Sequence, residues 1–415
     1  MGVPDRAQAE QLDRDDALAR WRDAFVIDRP ERLYLDGNSL GRLPRATVAR
    51  LRQVVEEEWG GGLVGSWNRW IDWARQGGDL LSTAVVGGAA GEAVIADSTT
   101  VNLYKALVAA LDARPGRRAV VTDDANFPSD RYVVQGLADS RGLDVRWLPP
   151  DPTVDDVGAA VDTDVALVTL SHVAFTSGAL LDLAGITRVA HAAGALVVWD
   201  LSHSAGVVPV DLSAAEVDLA VGCTYKYLNG GPGSPAFAYV GSHLVDELRQ
   251  PIWGWFGRRD QFEMGARYDA APGIDRWLVG TPPVLALAAA IEGIGVTASA
   301  GVGPIRSKSV RLVALLEELA DAWLAPLGFE QRTPRGAPAR GSHLALAHPE
   351  AWRLCRVLNE QYDVVADFRP PDVVRLGLAP LYTRFVDVWD AAERIRAAAE
   401  ARAWERVPHD RPRVT

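Results

Sequence analysis

Between residues 85 and 245 the chain alternates short, near-continuous apolar runs with stretches whose apolar positions recur at helical spacing. The runs at 93–96, 119–122, 144–148, 165–170, 195–199, 217–222 and 235–240 predict strands. Val101–Ala113, Arg131–Asp139 and Leu183–Ala193 predict helices between them. Strands apolar on both faces that alternate with helices imply an α/β fold, a mostly parallel sheet sandwiched by helices. Ligands of such sheets bind beyond the carboxyl ends of the strands. Upstream, residues 5–24 predict one amphipathic helix, with Leu12, Ala17, Leu18, Trp21 and Phe25 at helical spacing. Leu33-Tyr34-Leu35 predicts a short strand entering an Asp36-Gly37-Asn38 turn, and Pro44 starts a helix over 45–58. That turn reads equally as a plain strand-to-helix entry or as a ligand-binding turn. Gly60 to Trp70 predicts a flexible loop whose aromatics either line a cavity or pack on the core. Beyond residue 250, helices are expected at 284–296, 307–325, 350–360 and 387–402, and strands at 342–347 and 373–378. This part suggests a smaller α+β C-terminal domain. The polar stretch from Val407 to Thr415 predicts a frayed end.

Composition narrows the function classes. At 415 residues, with 48% hydrophobic and 23% charged residues, the chain is expected to form a soluble protein of two domains. The net charge of -11 argues against nucleic-acid or anionic-membrane binding, both of which need clustered Lys and Arg. Cys223 and Cys355 alone imply no disulfide framework. A polar start and the lack of a long apolar run predict neither leader nor membrane span, and hence a cytoplasmic protein.

Candidate chemistry concentrates in one stretch. The apolar run Val197-Val198-Trp199 ends on Asp200, and Lys226 follows between Tyr225 and Tyr227, ahead of a glycine run at 230–233. A desolvated lysine can form an imine. A carboxylate can keep a pyridine ring nitrogen protonated, as pyridoxal phosphate requires to act as an electron sink. Asp200 with Lys226 therefore suggests that cofactor, with His203 over or beside the same ring. Each residue alone has a plainer reading, a surface lysine or an acid capping a helix. Ser98-Thr99-Thr100 at the head of a helix offers hydroxyls and amides to a phosphate, or simply caps the helix. No dinucleotide or P-loop glycine pattern follows a strand, no His-Glu-x-x-His occurs, and the seven histidines are scattered, so no metal is expected. A serine-hydrolase elbow is also missing; the stretch from Gly231 to Pro235 does not fit one.

Several separated motifs carry a resemblance. They are Leu35-Asp36-Gly37-Asn38-Ser39-Leu40-Gly41, Thr99 to Asn102, Asn126 to Tyr132, Asp200 to His203, Thr224 to Asn229, Gly254-Trp255-Phe256-Gly257 and Val374 to Tyr382. Together, over roughly residues 30–395, they resemble the kynureninase family, in the aminotransferase class V branch of fold-type I pyridoxal-phosphate enzymes. The resemblance implies a large cofactor-binding domain over 51–300, a small domain over 301–415, and a segment 1–50 packing with the small one. It implies pyridoxal 5'-phosphate held by Lys226, which also shuttles the substrate α-proton. Asp200 would meet the ring nitrogen, with His203 beside it, Phe127 stacked on the ring and Asp130 at its edge. Thr99, Thr100, Thr176 and Tyr225 would surround the phosphate and ring hydroxyl, and Tyr225 would also act as an acid. Trp255, from the neighbouring subunit of a homodimer with the active sites at its interface, and Thr281 would contact the cofactor. Arg375 would clamp the substrate carboxylate, with Ser39, Trp67 and Thr281 also at the substrate.

The implied reaction is hydrolysis of the Cβ–Cγ bond of L-kynurenine to anthranilate and L-alanine, in tryptophan catabolism or NAD biosynthesis. Trp67 and Gly280-Thr281 stand where bacterial members that prefer unhydroxylated kynurenine carry similar residues, so 3-hydroxykynurenine is expected to be the poorer substrate. Two positions depart from the family pattern. Arg258 stands where a histidine is usual, and Gly280-Thr281-Pro282-Pro283 replaces Gly-Thr-Gln-Pro. They leave open a homologue acting on a modified kynurenine in secondary metabolism. A class V aminotransferase or desulfurase is the nearest other enzyme, and a cofactor-free binding module lies further off, because the lysine, acid and arginine are all present.

Overall fold

The computed structural model describes residues 3–408, so the expected frayed end lies mostly outside the described residues. Thirteen strands occur among them: β1 (Leu33–Tyr34), β2 (Ala93–Ile95), β3 (Ala119–Asp123), β4 (Asp144–Leu148), β5 (Val165–Ser171), β6 (Leu196–Asp200), β7 (Leu219–Gly222), β8 (Phe237–Val240), β9 (Glu330–Gln331), β10 (His343–Ala347), β11 (Val364–Val365), β12 (Asp367–Arg369) and β13 (Val373–Gly377). Seven form one sheet in the order β2-β8-β7-β6-β5-β3-β4. Only β8 runs against its neighbours in it. The parallel order turns back between β3 and β5, because the chain passes β3 to β4 and then returns to β5. All seven strands expected from the apolar runs are present, with β6 fully buried along Leu196–Asp200. The sheet and its covering helices enclose one apolar core, and a second surrounds the antiparallel sheet β12-β13-β10-β9.

The N-terminus belongs with the second core. Strand β1 pairs in parallel with β11, joining Leu33 to Val364. The helix Arg6–Arg14 lies on helix Phe385–Glu400, and Asp13 accepts the amides of Phe385 and Val386 at 2.7 and 3.1 Å. These ties correct the single helix expected over 5–24. It stops at Arg14 and resumes as a 3-10 turn over Ala19–Ala24. Between the two, Asp16 accepts the Leu18 amide and pairs with buried Lys308 at 2.6 Å, so the aspartates serve tertiary contacts in place of the next helical turn.

The expected loop at 60–70 is likewise helical. A π-helical stretch Val54–Gly61 is followed by a 3-10 turn Leu63–Ser66 and an α turn Trp67–Trp70. Buried Glu58 fixes it, taking the Trp70 indole N–H at 2.7 Å and the Arg50 guanidinium at 2.7 Å. Trp70 packs inward, so the core reading of this segment's aromatics holds for it. Helix Trp73–Ala84 and the short strands β9, β11 and β12 were not expected from the sequence. Strands of two or three residues are too short to show a period. No single helix among the described residues is long and apolar enough to cross a membrane.

Helix Trp73–Ala84 lies so close on β2 that a Cβ on Gly78 would overlap the Ala93 carbonyl. The obstacle is backbone within a sheet and cannot swing aside. Gly78→Ala is therefore expected to destabilise the protein by about 2–3 kcal/mol, as overpacking does. A lower urea midpoint at unchanged slope checks this.

Candidate active site

The candidate residues stand at or just beyond the carboxyl ends of β6 and β7, where an α/β sheet places its ligands. Strand β6 ends on Asp200, which is 7% exposed and accepts the Ser202 amide at 2.7 Å. The loop after β7 carries Thr224, Tyr225 and Lys226. Thr224 donates to the Pro235 carbonyl at 2.7 Å, and Asn229 takes a left-handed φ of 56°, so the loop closes tightly around the lysine.

Lys226 Nζ stands 2.9 Å from His203 Nε2. An ammonium has only donors, so the ring nitrogen accepts. Burial, with Lys226 and Arg375 nearby, pushes His203 well below the ordinary imidazole range and suits it to that role. The Lys226 nitrogen also lies 5.8 Å from the Phe127 ring centre and 6.0 Å from that of Tyr225. Asp130, on the helix that Pro128 opens, is buried against Asp200. Burial first, and then the Asp200 charge, push Asp130 well above the carboxylate range. Burial raises the Tyr225 phenol as well, and it stays protonated at neutral pH.

Two further segments complete the cleft. A Cβ on Gly41 would overlap the Lys226 carbonyl oxygen, and the Gly41 amide donates to the Tyr225 carbonyl at 2.7 Å. The Asp36–Gly41 turn thus packs directly on the lysine loop. Its Ser39 hydroxyl accepts from Arg375 Nη2 at 2.9 Å. Arg375 is 1% exposed, donates to the Phe175 carbonyl at 2.8 Å and to Asp367 at 2.5 Å, and leaves Nε without a partner.

Of the other expected site residues, Thr99 and Thr100 head helix Thr99–Asp112, but Ser98 caps it, accepting the Val101 amide. Their hydroxyls are not spent on the cap. Trp67 is half-buried against Phe256, with ring centres 6.3 Å apart. Trp255, 40% exposed, and Thr281 lie on the surface. Thr176 lines a separate cavity with Asn126, Ser171 and Phe175. Arg258 ties down its own loop through Glu263 at 2.5 Å.

Asp367 went unnoticed in the sequence. It pairs across the hairpin with Arg375 in register, and its Oδ2 takes Arg375, Arg369 (2.7 Å) and the Ser39 hydroxyl (3.3 Å). The Pro370-Pro371-Asp372 turn signal between Asp367 and Arg375 could have revealed that pairing.

Comparison with known proteins agrees with this geometry. Residues 84–330 match the aminotransferase class-V family and residues 305–395 match the kynureninase C-terminal domain. The kynureninase of Pseudomonas fluorescens is 43% identical over 402 residues, covering 95% of each chain. That of Burkholderia pseudomallei (strain K96243) is 42% identical over 407 residues, covering 96% of each. The chain belongs to the kynureninase family. Its fold is that of fold-type I pyridoxal-phosphate enzymes. A cysteine desulfurase of Escherichia coli superposes with a TM-score of 0.77 at 21% identity, covering 92% of this chain and 98% of that one. The C-DES protein, solved with glycine covalently linked to its pyridoxal-phosphate cofactor, gives 0.77 at 17%, covering 94% and 99%.

In this kynureninase-family site, Asp367 is the shared anion of two guanidinium groups. Asp367→Asn would leave the buried Arg375 charge without its counterion and is expected to cost about 3 kcal/mol of stability. Urea unfolding measures the loss, and a stability equal to the parent protein's would refute the pairing.

Proposed function

We infer that the chain is a pyridoxal-phosphate-dependent hydrolase that cleaves the Cβ–Cγ bond of L-kynurenine to give anthranilate and L-alanine. The observation that carries this is Lys226, held by His203 beside the Phe127 ring and the Asp130–Asp200 pair, in a chain similar to kynureninases over nearly its full length.

The residues present fit the cofactor. Lys226 would hold it, Phe127 would lie on its ring, Asp200 would meet the ring nitrogen, and Asp130 and His203 would meet its edges. His203 Nδ1, buried and without a partner, is free for such a contact. Thr99, Thr100 and the amides at the head of their helix suit the phosphate, and the Tyr225 hydroxyl would join them. When bound, the cofactor supplies an electron sink for negative charge that develops beside the amino-bearing carbon.

The chain's own groups do the rest. Arg375 orients the substrate α-carboxylate, using its unpartnered Nε edge in a charge-assisted hydrogen bond. Ser39 steadies that guanidinium. Lys226 takes and returns the proton of the α-carbon. Tyr225, protonated at neutral pH, delivers a proton to the β-carbon as the Cβ–Cγ bond breaks. Water adds to the γ-carbonyl, and its oxygen leaves in the anthranilate carboxylate.

The same reading takes the working form as a cytoplasmic homodimer. Trp255 and Thr281 of one copy would complete the site of the other, beside Trp67. Support comes from large apolar side chains left bare: Trp59 is 57% exposed, Val64 80%, Phe262 64% and Met264 71%. It also divides the chain at residues 50 and 300, with the N-terminal segment packing on the small domain. A desulfurase reading lacks its nucleophile. Cys223 and Cys355 are both buried, and burial pushes both thiols up.

Lys226→Ala is expected to abolish anthranilate release, followed by its fluorescence, whereas Arg375→Ala should mainly raise KM. Anthranilate formed at a normal rate by the Lys226 variant would overturn the assignment. With no expected group to receive a 3-hydroxyl, kcat/KM should favour L-kynurenine over 3-hydroxykynurenine by about tenfold or more, the size of a specificity gap set by one polar group. A preference for the hydroxylated substrate would refute it.

A further inference from the structure

Helix Thr99–Asp112 carries a fully buried lysine. Lys105 is 0% exposed and sits among buried Leu103, Ala106, Leu107 and Val108. Helical side chains lean toward the N-terminus of their helix. The Lys105 ammonium reaches back that way to Asp97 Oδ2 at 2.6 Å, and it also donates to the Trp277 carbonyl at 2.8 Å. Burial pulls this ammonium below the ordinary lysine range, while the Asp97 carboxylate works to raise it again. A buried ion pair is often no more stable than apolar residues of the same volume. The place of this one in the fold gives it another task.

Asp97 is the residue at which β2 turns into the helix. Its φ of 55° is left-handed, uncommon for a residue that has a Cβ. The backbone on either side is fixed. The Ala96 amide donates to the Ala236 carbonyl at 2.8 Å, and the Ala236 amide donates to the Asp97 carbonyl at 2.9 Å. Asn102 Nδ2 donates to the Ala96 carbonyl at 2.8 Å, and the Ser98 hydroxyl accepts the Val101 amide at 3.3 Å. Lys105 adds a tie through the Asp97 side chain. Its other acceptor belongs to Trp277, a side chain 0% exposed, so that carbonyl is a fixed point in the large core. From Trp277 the chain runs on to Val279, whose carbonyl accepts the Phe256 amide at 3.2 Å, and then to Thr281. One ammonium thus joins the turn at Asp97 to the segments that bear Trp255 and Thr281.

The turn leads directly into Thr99 and Thr100, read above as contacts of the cofactor phosphate, and the inference rests on that reading. The head of the helix attracts a dianion, but a carboxylate two residues ahead of Thr99 repels it. We propose that Lys105 is a positioning residue for the cofactor phosphate: it cancels the Asp97 charge beside the phosphate turn and ties that turn to the core at Trp277. Thr99 and Thr100 would touch the phosphate, and Lys105 acts on it through Asp97.

The test reads cofactor affinity and not turnover. Parent and variant holoenzymes are dialysed at pH 7 against graded pyridoxal 5'-phosphate, and the bound fraction is taken from the visible absorbance of the bound cofactor. Lys105→Met removes the charge, and Lys105→Gln removes it while keeping a donor. Each is expected to raise Kd by about tenfold or more, less than the full cost of two like charges a few ångströms apart at a protein surface. Adding Asp97→Asn to either should bring Kd most of the way back to the parent's, which is the coupling that a double-mutant cycle measures. Packing alone would give no such rescue. Either single variant carries the test if the other does not fold. An unchanged Kd in the single variants, or equal weakness in single and double variants, would overturn the proposal and leave the assigned reaction standing. A parent protein that takes up no pyridoxal 5'-phosphate would overturn both.

Discussion

The site depends on one close approach, that of the Asp36–Gly41 turn to the lysine loop. Gly41 lies where any side chain would strike the Lys226 carbonyl, and its amide donates to the Tyr225 carbonyl. The same turn is pinned from the other side, because the Gly377 amide donates to the Leu35 carbonyl at 2.7 Å and Gly377 leaves space for the Asn38 side chain. The first strand thus joins the loop after β7 to the end of β13. That contact brings Arg375, carried by the small sheet, to a cleft built at the ends of the large one. Strand β1 is only two residues long, so these backbone contacts, rather than its pairing with β11, set where the turn sits.

Electrostatics follow from the burial that this packing enforces. Lys226, Arg375 and Arg369 bring positive charge into a region that also holds Asp130, Asp200, Asp36 and Asp367. The two imidazoles beside the lysine take no part of the charge. His203 and His343 are both buried, both are pushed well below the ordinary range, and their ring centres lie 5.7 Å apart. Protonating either would add a third cation between Lys226 and Arg375. The acids behave in the opposite sense. Burial, and then the Asp367 charge, push Asp36 up to about 6, because the guanidinium groups of Arg375 and Arg369 already share Asp367. Uncompensated charge in this region would be expensive, and each group settles in the state that avoids it.

Much of this was legible in the chain. The seven strands of the large sheet are long apolar runs and could be read directly. Lys226, His203, Phe127, Asp130 and Asp200 stand at or just after such runs, and the structure gathers them. What stayed hidden was set by contacts between distant segments. Residues 5–24 carry a helical period, yet Asp13 and Asp16 serve Phe385, Val386 and Lys308 instead. Glycines at 60–62 suggested a loop, but the buried Glu58 carboxylate holds two turns of chain in helical form. Asp367 could be recognised only once the hairpin register was known, since its partner is set by pairing and not by periodicity. Trp255 and Thr281 are exposed in the single chain, and no contact within it brings them to Lys226.

Fold alone would not have separated this chain from its neighbours. Proteins with 17–21% identity, cysteine desulfurases among them, share its whole architecture. The difference lies in what each strand end delivers, because function resides in the site that a fold carries. In this chain the loop ahead of the lysine offers Cys223, a buried thiol that burial pushes up. The opposite wall offers instead a guanidinium with one unpartnered edge and a shared counterion behind it. In the proposed reading an amino acid carboxylate would meet that edge, and the bond to be broken would then depend on what lies along the rest of the substrate. Trp67 and Phe256 pack together from segments far apart in sequence, giving an apolar wall to the same region of the chain's surface that carries Trp255. An aryl ketone is complementary to such aromatic surfaces where a thiol is not. In the proposed reading the guanidinium would fix the amino acid's carboxylate, and the aromatic wall would select the side chain.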